Sequence, residues 1–220
     1  MLEVLYEDNH IIAINKKSGD IVQGDKTGDA PLSDFVKAYI KKKYNKPGEV
    51  FLGTIHRLDR PTSGVVLYAR TSKALARMNE QFREKQVQKT YWAVVDNAPA
   101  NASGTLENYL LKNQKQNKSY VTKAADAKHA VLDFRLLKKL DNFFHLEIKP
   151  KTGRHHQIRV QLAHIGCIIK GDLKYGAKRS NKDASIHLLA QKLEFLHPVK
   201  KEPIVIVAPA PKDSIWKACL

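Results

Sequence analysis

Cysteine is nearly absent from this chain. Cys167 and Cys219 are the only two, and they form no CxxC pair. Neither a disulfide framework nor a cysteine-based zinc site is indicated, and a reducing cytoplasm is the expected setting. No apolar run is long enough to span a bilayer. The N-terminus, MLEVLYEDNHIIAINK, has no basic segment ahead of a long apolar stretch. A GxGxxG phosphate loop is missing. Acidic residues are scarce: 22 Asp and Glu stand against 38 Lys and Arg, which gives a net charge of +16 and a pI near 9.7. A charge this large on a globular chain points to a polyanion, and the arginines that sit inside motif-like stretches favour a nucleic acid.

What is present suits a folded catalytic domain. Hydrophobic residues make up 43% of the 220 positions, enough for a core. A single domain over residues 1–220 is expected, and monomer is the default state. Val4-Leu5-Tyr6 and Ile11 to Ile14 read as short strands. Pro31 to Tyr44 reads as a helix with Leu32, Phe35, Val36, Tyr39 and Ile40 at helical spacing. Val65 to Ala69 reads as a buried strand, and Ser72 to Phe82 as a helix capped by Thr71 or Ser72. Further strands are expected at Thr90–Val95, Val131–Leu137, Phe143–Ile148, Leu193–Leu196 and Ile204–Val207. Residues 112–128, rich in Lys, Asn and Gln, read as an exposed, mobile basic segment or hairpin. Arg154 to Ile165 reads as a helix stopped by Gly166. The fold class is α+β, with a mixed, mainly antiparallel central sheet and flanking helices.

Three stretches carry chemistry. HRLDRPTSG (56–64) places one carboxylate, Asp59, among arginines at the mouth of the strand. Arg60 precedes Pro61 and is biased away from helix. Thr62-Ser63-Gly64 reads as a turn that supports Asp59 beside a rigid element. Asp59 is either a surface ion-pair member with Arg57 or Arg60, or a reactive group. TGRHHQIR (152–159) brings Arg154, His155, His156 and Arg159 to the start of a helix, where backbone amides and guanidinium groups suit an anion. Adjacent histidines on a helix diverge, and they lack carboxylate or thiol partners, so metal ligation is disfavoured. GDLKYG (171–176) is a glycine-bracketed loop, with Asp172 read as structural. A kinase catalytic loop is rejected: Leu58 interrupts the HRD triplet and the glycine-rich loop is missing.

Together HRLDRPTSG, KTYWAVV (89–95), TGRHHQIR and GDLKYG resemble the RluA family of RNA pseudouridine synthases, in that family's order and over nearly the whole chain. The resemblance implies the pseudouridine synthase catalytic fold and an isomerase that works on rRNA, tRNA or both, with no cofactor and no metal. Many relatives carry a small N-terminal RNA-binding domain; here the catalytic-type sequence begins within the first residues, which leans towards a small member that reads a local stem-loop. Gln161 stands where the family usually has a histidine. His187-Leu188 stands for the family's late His-Ala.

By this resemblance Asp59 is the essential carboxylate, acting as nucleophile on the ribose or as the base that yields a glycal; either role needs the ionised form. Arg159 is its expected ion-pair partner, a guanidinium that keeps a carboxylate charged and oriented. Tyr91 is expected to stack on the uracil, with its hydroxyl as a proton relay. The target base is flipped out, and Arg57 is the wedge candidate. His56, Arg60, Arg154, His156 and Gln157 are the further RNA-binding candidates. Two rivals remain open at this level. A non-catalytic RNA binder explains the charge but not a carboxylate set amid arginines. A hydrolase would want a carboxylate pair or metals.

Overall fold

The computed structural model describes residues 2–24 and 28–220. The chain divides into two compact units: residues 1–88 with 190–209, and 89–189 with 210–220.

The first unit contains β1 (Val4–Glu7), β2 (Ile11–Lys16), α1 (Leu32–Lys43), β3 (Gly53–Thr54), β4 (Ser63–Ala69) and α2 (Ser72–Arg83). It also contains β10 (Leu188–Leu196) from Ala190 onward, and β11 (Pro203–Val207). Strand order here is β1-β2-β4-β10, with β3 on β4 and β11 on β10. The β1–β2, β2–β4, β3–β4 and β10–β11 registers are antiparallel. Every residue of β4 is buried, which is why its sequence reads as an unbroken apolar run instead of an alternating one. Helix α1 buries Leu32, Val36 and Ile40. These join Ile12, Ile14, Val66 and Tyr68 in one core cluster. Phe35, expected on that face, is 57% exposed. Thr71 caps α2, its hydroxyl oxygen accepting from the Ala74 amide at 3.1 Å.

The second unit contains β5 (Gln88–Val95, from Lys89 on), β6 (Ser103–Asn113), β7 (Lys118–Val121), β8 (Lys128–Lys139) and β9 (Phe144–Pro150). Helices α3 (Gln157–His164) and α4 (Ser214–Cys219) complete it, with a short 3₁₀ turn at Leu173–Tyr175. The order is β5-β9-β8-β6-β7, and each of these pairings is antiparallel. Helix α3 lays Ile158 and Leu162 onto Ala93, Leu132, Leu146 and Ile148. Of the two readings of the basic stretch, a mobile segment or a hairpin, the structure shows the β6–β7 hairpin, with Asn113 facing Lys118 across its end. Lys112 and Lys115 are exposed, but the strand alternates, and Leu110 is buried on α3's side. That alternation is diluted by polar residues, which is why composition alone suggests a mobile segment.

Candidate active site

In the first unit the HRLDRPTSG segment is extended, and its side chains alternate. Leu58 packs onto the core cluster of Ile12, Ile14 and Val66. His56 turns inward too: its Nε2 accepts from the Leu67 amide at 3.1 Å, and its ring stacks on Phe82 at 5.3 Å. The imidazole thus serves an amide of β4 beyond the point where β3 stops pairing at Thr54. Arg57 is exposed and Asp59 half-buried. The turn runs from Asp59 to Thr62, closed by the Thr62 amide donating to the Asp59 carbonyl at 3.0 Å. Ser63 and Gly64, expected in the turn, already belong to β4.

A buried lysine fastens this turn. Lys16, at the end of β2, is fully buried. Its Nζ donates to the carbonyls of Lys17 (3.0 Å), Arg60 (3.0 Å) and Thr62 (2.7 Å). Three N–H donors meet three acceptors, so the ammonium is satisfied. Burial pulls its pKa down to about 8, while the charges of Asp20 and Asp59 act to raise it. Lys16 is therefore a cation at neutral pH. The Gly19 amide also donates to the Arg60 carbonyl, at 2.9 Å. Gly64 faces Lys16 in the β2–β4 register with φ at +116°, and a β-carbon there would stand 2.2 Å from the Ala190 carbonyl oxygen. Only glycine fits. Arg60 pairs with Asp29 at 2.7 Å on the surface.

In the second unit the TGRHHQIR segment is a side-chain network. Helix α3 begins at Gln157, three residues later than the sequence periodicity suggests, because His156 adopts a left-handed conformation (φ 54°, ψ 24°). His155 and Arg159 therefore do not share a helical face. Gln157 bridges the turn. Its Oε1 accepts from the Arg154 amide (3.0 Å) and the Thr152 hydroxyl (2.8 Å), and its Nε2 donates to the Val131 carbonyl (3.0 Å). Arg154 is exposed, with Nε on the His129 carbonyl at 2.9 Å.

The histidines reach the hairpin. Ser119 Oγ lies 2.8 Å from both the His155 carbonyl and His155 Nδ1, and His155 Nε2 lies 3.1 Å from Asn117 Oδ1. Tyr175 Oη accepts from the Ser119 amide (2.9 Å) and lies within hydrogen-bond reach of His156 Nδ1 (3.0 Å) and the Ser119 carbonyl (3.3 Å). Burial, with the charge of Arg159 next, pushes the His156 pKa down to about 2. Its imidazole is neutral and suited to accept from the phenol. Lys174 Nζ donates to the Gln116 and Asn117 carbonyls at the hairpin tip, both at 3.2 Å.

Asp172 grips Arg159. Arg159 Nε donates to Asp172 Oδ2 at 2.7 Å and Nη2 to Oδ1 at 2.8 Å, with both residues buried. This two-point pairing fixes the guanidinium plane. Asp172 is therefore not just a turn residue: it has the arginine as its partner. The flanking Gly171 has φ +86°, and a β-carbon there would lie 2.7 Å from the Ser185 carbonyl oxygen. Gln161 binds the Leu106 carbonyl (3.1 Å) and the Asn108 side chain (2.9 Å) through its amide nitrogen. It ties α3 to β6. Tyr91 stands on β5 opposite Ile148, packed on the core of this unit.

The expected site residues thus fall in two groups. His56, Arg57, Asp59 and Arg60 lie in the first unit; Tyr91, Arg154, His156, Gln157 and Arg159 lie in the second. Lys16, Ser119, Tyr175 and the Asp172–Arg159 pairing were missed by sequence reasoning. Lys16 ends the apolar run IIAIN as the first of two adjacent lysines, and only that position hinted at burial. Ser119 and Tyr175 gave no signal beyond their motifs.

Residues 10–164 match the RNA pseudouridylate synthase family. The chain is 36% identical over 225 residues to the ribosomal large subunit pseudouridine synthase D of Xylella fastidiosa, covering 96% of this chain and 67% of that one. It is 35% identical to the ribosomal large subunit pseudouridine synthase C of Buchnera aphidicola, covering 99% and 69%. Human RNA pseudouridylate synthase domain containing 4 superposes with a TM-score of 0.82 at 25% identity, over 97% of this chain and 90% of that one. With its α+β fold of mainly antiparallel pairings, the chain belongs to the RluA-type RNA pseudouridine synthases and is an isomerase acting on RNA.

Proposed function

We propose that the substrate is ribosomal RNA of the large subunit, and that Asp59, Tyr91 and Arg159 carry the isomerisation. The family match across residues 10–164, which contains both HRLDRPTSG and TGRHHQIR, carries this reading. The names of the relatives in Xylella and Buchnera support the rRNA assignment. Transfer RNA stem-loops are the second substrate class, on the resemblance alone.

The reaction breaks the N1–C1′ bond of uridine, turns the uracil, and forms C5–C1′, the proton lost from C5 being balanced by one gained at N1. Asp59 serves in its ionised form, by attack on C1′ or by taking a ribose proton to give a glycal. Arg159 is the guanidinium that keeps this carboxylate charged. Tyr91 stacks on the uracil, and its hydroxyl relays the proton leaving C5. The nucleotide is extruded from its stack at a cost of a few kcal/mol, least in loops. Arg57 and Arg154, both exposed, are the arginines best placed for RNA, Arg57 as the wedge. His56, His156 and Gln157 contribute by orienting the segments that carry these groups, and Arg60 by phosphate contact. The protein works as a cytoplasmic monomer, a setting that suits its two free, buried cysteines.

A single-turnover assay on rRNA tritiated at uridine C5 tests this. Isomerisation releases the tritium, hydrolysis would release uracil instead, and a simple binder would release neither.

A further inference from the structure

The turn that carries Asp172 holds Arg159 a second time. Gly171 and Gly176, at φ +86° and +109°, bracket this turn, and the Tyr175 amide donates to the Asp172 carbonyl at 3.0 Å. Asp172 and Tyr175 are buried, while Leu173 and Lys174 between them are exposed. Asp172 takes the guanidinium at its edge, through Nε and Nη2. Tyr175 takes it at the ring, with Arg159 Cζ 5.1 Å from the ring centroid. A guanidinium paired in its own plane can still hinge about the line through the two carboxylate oxygens. A ring within cation–π distance opposes that hinge.

The same ring reaches strand β7. Lys118 Nζ lies 5.1 Å from its centroid. The Ser119 amide donates to Tyr175 Oη at 2.9 Å, and the Ser119 carbonyl lies 3.3 Å away. Leu110, Ala130 and Val160 share one core cluster with Tyr175, and the His156 ring meets the phenol edge-on at 5.6 Å. Strand β7 and the Arg159 guanidinium therefore meet at one side chain.

We propose that Tyr175 is a positioning residue for Arg159: its ring sets the guanidinium, and its hydroxyl fixes where β7 stops against that ring. This rests on the reading of Arg159 as a group the isomerisation needs. Tyr175 touches no reacting atom and moves no proton in this role. The two parts of the side chain have separable consequences. The hydroxyl serves main-chain groups of Ser119, a buried residue, so its loss lowers stability. The ring serves Arg159, so its loss lowers rate.

The test compares Tyr175→Phe and Tyr175→Leu with the wild-type chain. Thermal unfolding reports stability. Tritium release at saturating enzyme reports the rate constant. The nitrogen–proton NMR signal of Arg159 Nε, identified by its absence in Arg159→Lys, reports the guanidinium. Tyr175→Phe is expected to melt about 4 °C lower and to keep the rate and the Arg159 signal close to wild type. Tyr175→Leu is expected to lose rate about 100-fold, the cost of a misplaced guanidinium, with half-saturation little changed. Its Arg159 signal should lose the ring-current shift and exchange faster with solvent. A rate in Tyr175→Leu equal to that in Tyr175→Phe would overturn the proposal, and so would an unmoved Arg159 signal. A rate that merely follows melting temperature across the variants would reduce Tyr175 to a packing residue. If Tyr175→Leu does not fold, the wild type decides: Arg159 side-chain protons without a ring-current shift overturn the proposal, and shifted ones that stay shifted in Tyr175→Phe uphold it. Should the wild type bind RNA and release no tritium, the isomerase assignment fails, while the Arg159 signal still reports on Tyr175.

Discussion

The loop from His56 to Gly64 and the segment from Thr152 to Arg159 are held by different kinds of bonds. In the first, the anchors are main-chain groups. The carbonyls of Asp59, Arg60 and Thr62 accept from the Thr62 and Gly19 amides and from Lys16. In the second, the anchors are side chains: Gln157, His155, His156, Tyr175 and the Asp172–Arg159 pair. The anchoring group of the first is a buried cation; the histidine at the centre of the second is neutral. The lesson is about which residues can change. A carbonyl anchor survives most substitutions at its own residue, whereas a side-chain anchor disappears with its residue.

The largest expected effect comes from spoiling the backbone approach in the first loop. Gly64→Ala puts a methyl group 2.2 Å from the Ala190 carbonyl oxygen at a φ of +116°. A loss of more than about 4 kcal/mol is expected, seen as insoluble protein or a collapsed thermal transition. A near-native melting temperature would show that β4 and β10 can part. Asp172→Asn comes next. It removes the carboxylate charge that grips the buried guanidinium, and breaking such a pair costs about 3–5 kcal/mol. Urea unfolding checks this, and a change under 1 kcal/mol would mean that Asp172 does not set Arg159.

Acid separates the two regions further. His145 is buried in the second unit between Trp92 and Trp216, and neither ring nitrogen has a hydrogen-bond partner among the described residues. Burial lowers its pKa from 6.5 to about 4. Between those values the unfolded chain binds the proton and the folded chain does not. Stability from His145 is therefore full above pH 6.5 and lost as pH falls towards 4, by up to about 3 kcal/mol. His156, whose pKa lies lower still, adds its own loss over the same range, so in urea titrations His145→Phe should shrink the difference in stability between pH 7 and 4.5 without abolishing it; an unchanged difference places the sensitivity elsewhere. The smallest of these effects is Tyr91→Phe. Rate should drop about 100-fold, as for loss of a proton-transfer group, with KM nearly constant. Equal losses in rate and affinity would reduce Tyr91 to a stacking ring.

The same contrast explains what the sequence made legible. Strand β4 and helix α1 announce themselves because their apolar spacing is read directly, and HRLDRPTSG is visible as a motif. The start of α3 was misjudged because the left-handed His156 interrupts an otherwise helical pattern, and no local rule demands that conformation of a histidine. The Asp172–Arg159 pair spans thirteen positions of chain and appears only once the 171–176 loop folds back on α3. Lys16 was invisible because a lysine is read as surface unless three carbonyls are known to await it. The candidate residues are visible as motifs; the bonds that hold them exist only in the folded chain.

Asp59→Asn tests the central claim most directly, through tritium release and a thermal melt on the same preparation. Asparagine keeps the carbonyl that Thr62 binds, so melting should shift little while turnover falls below detection and RNA binding persists. Measurable pseudouridine formation by a folded Asp59→Asn protein would contradict the account.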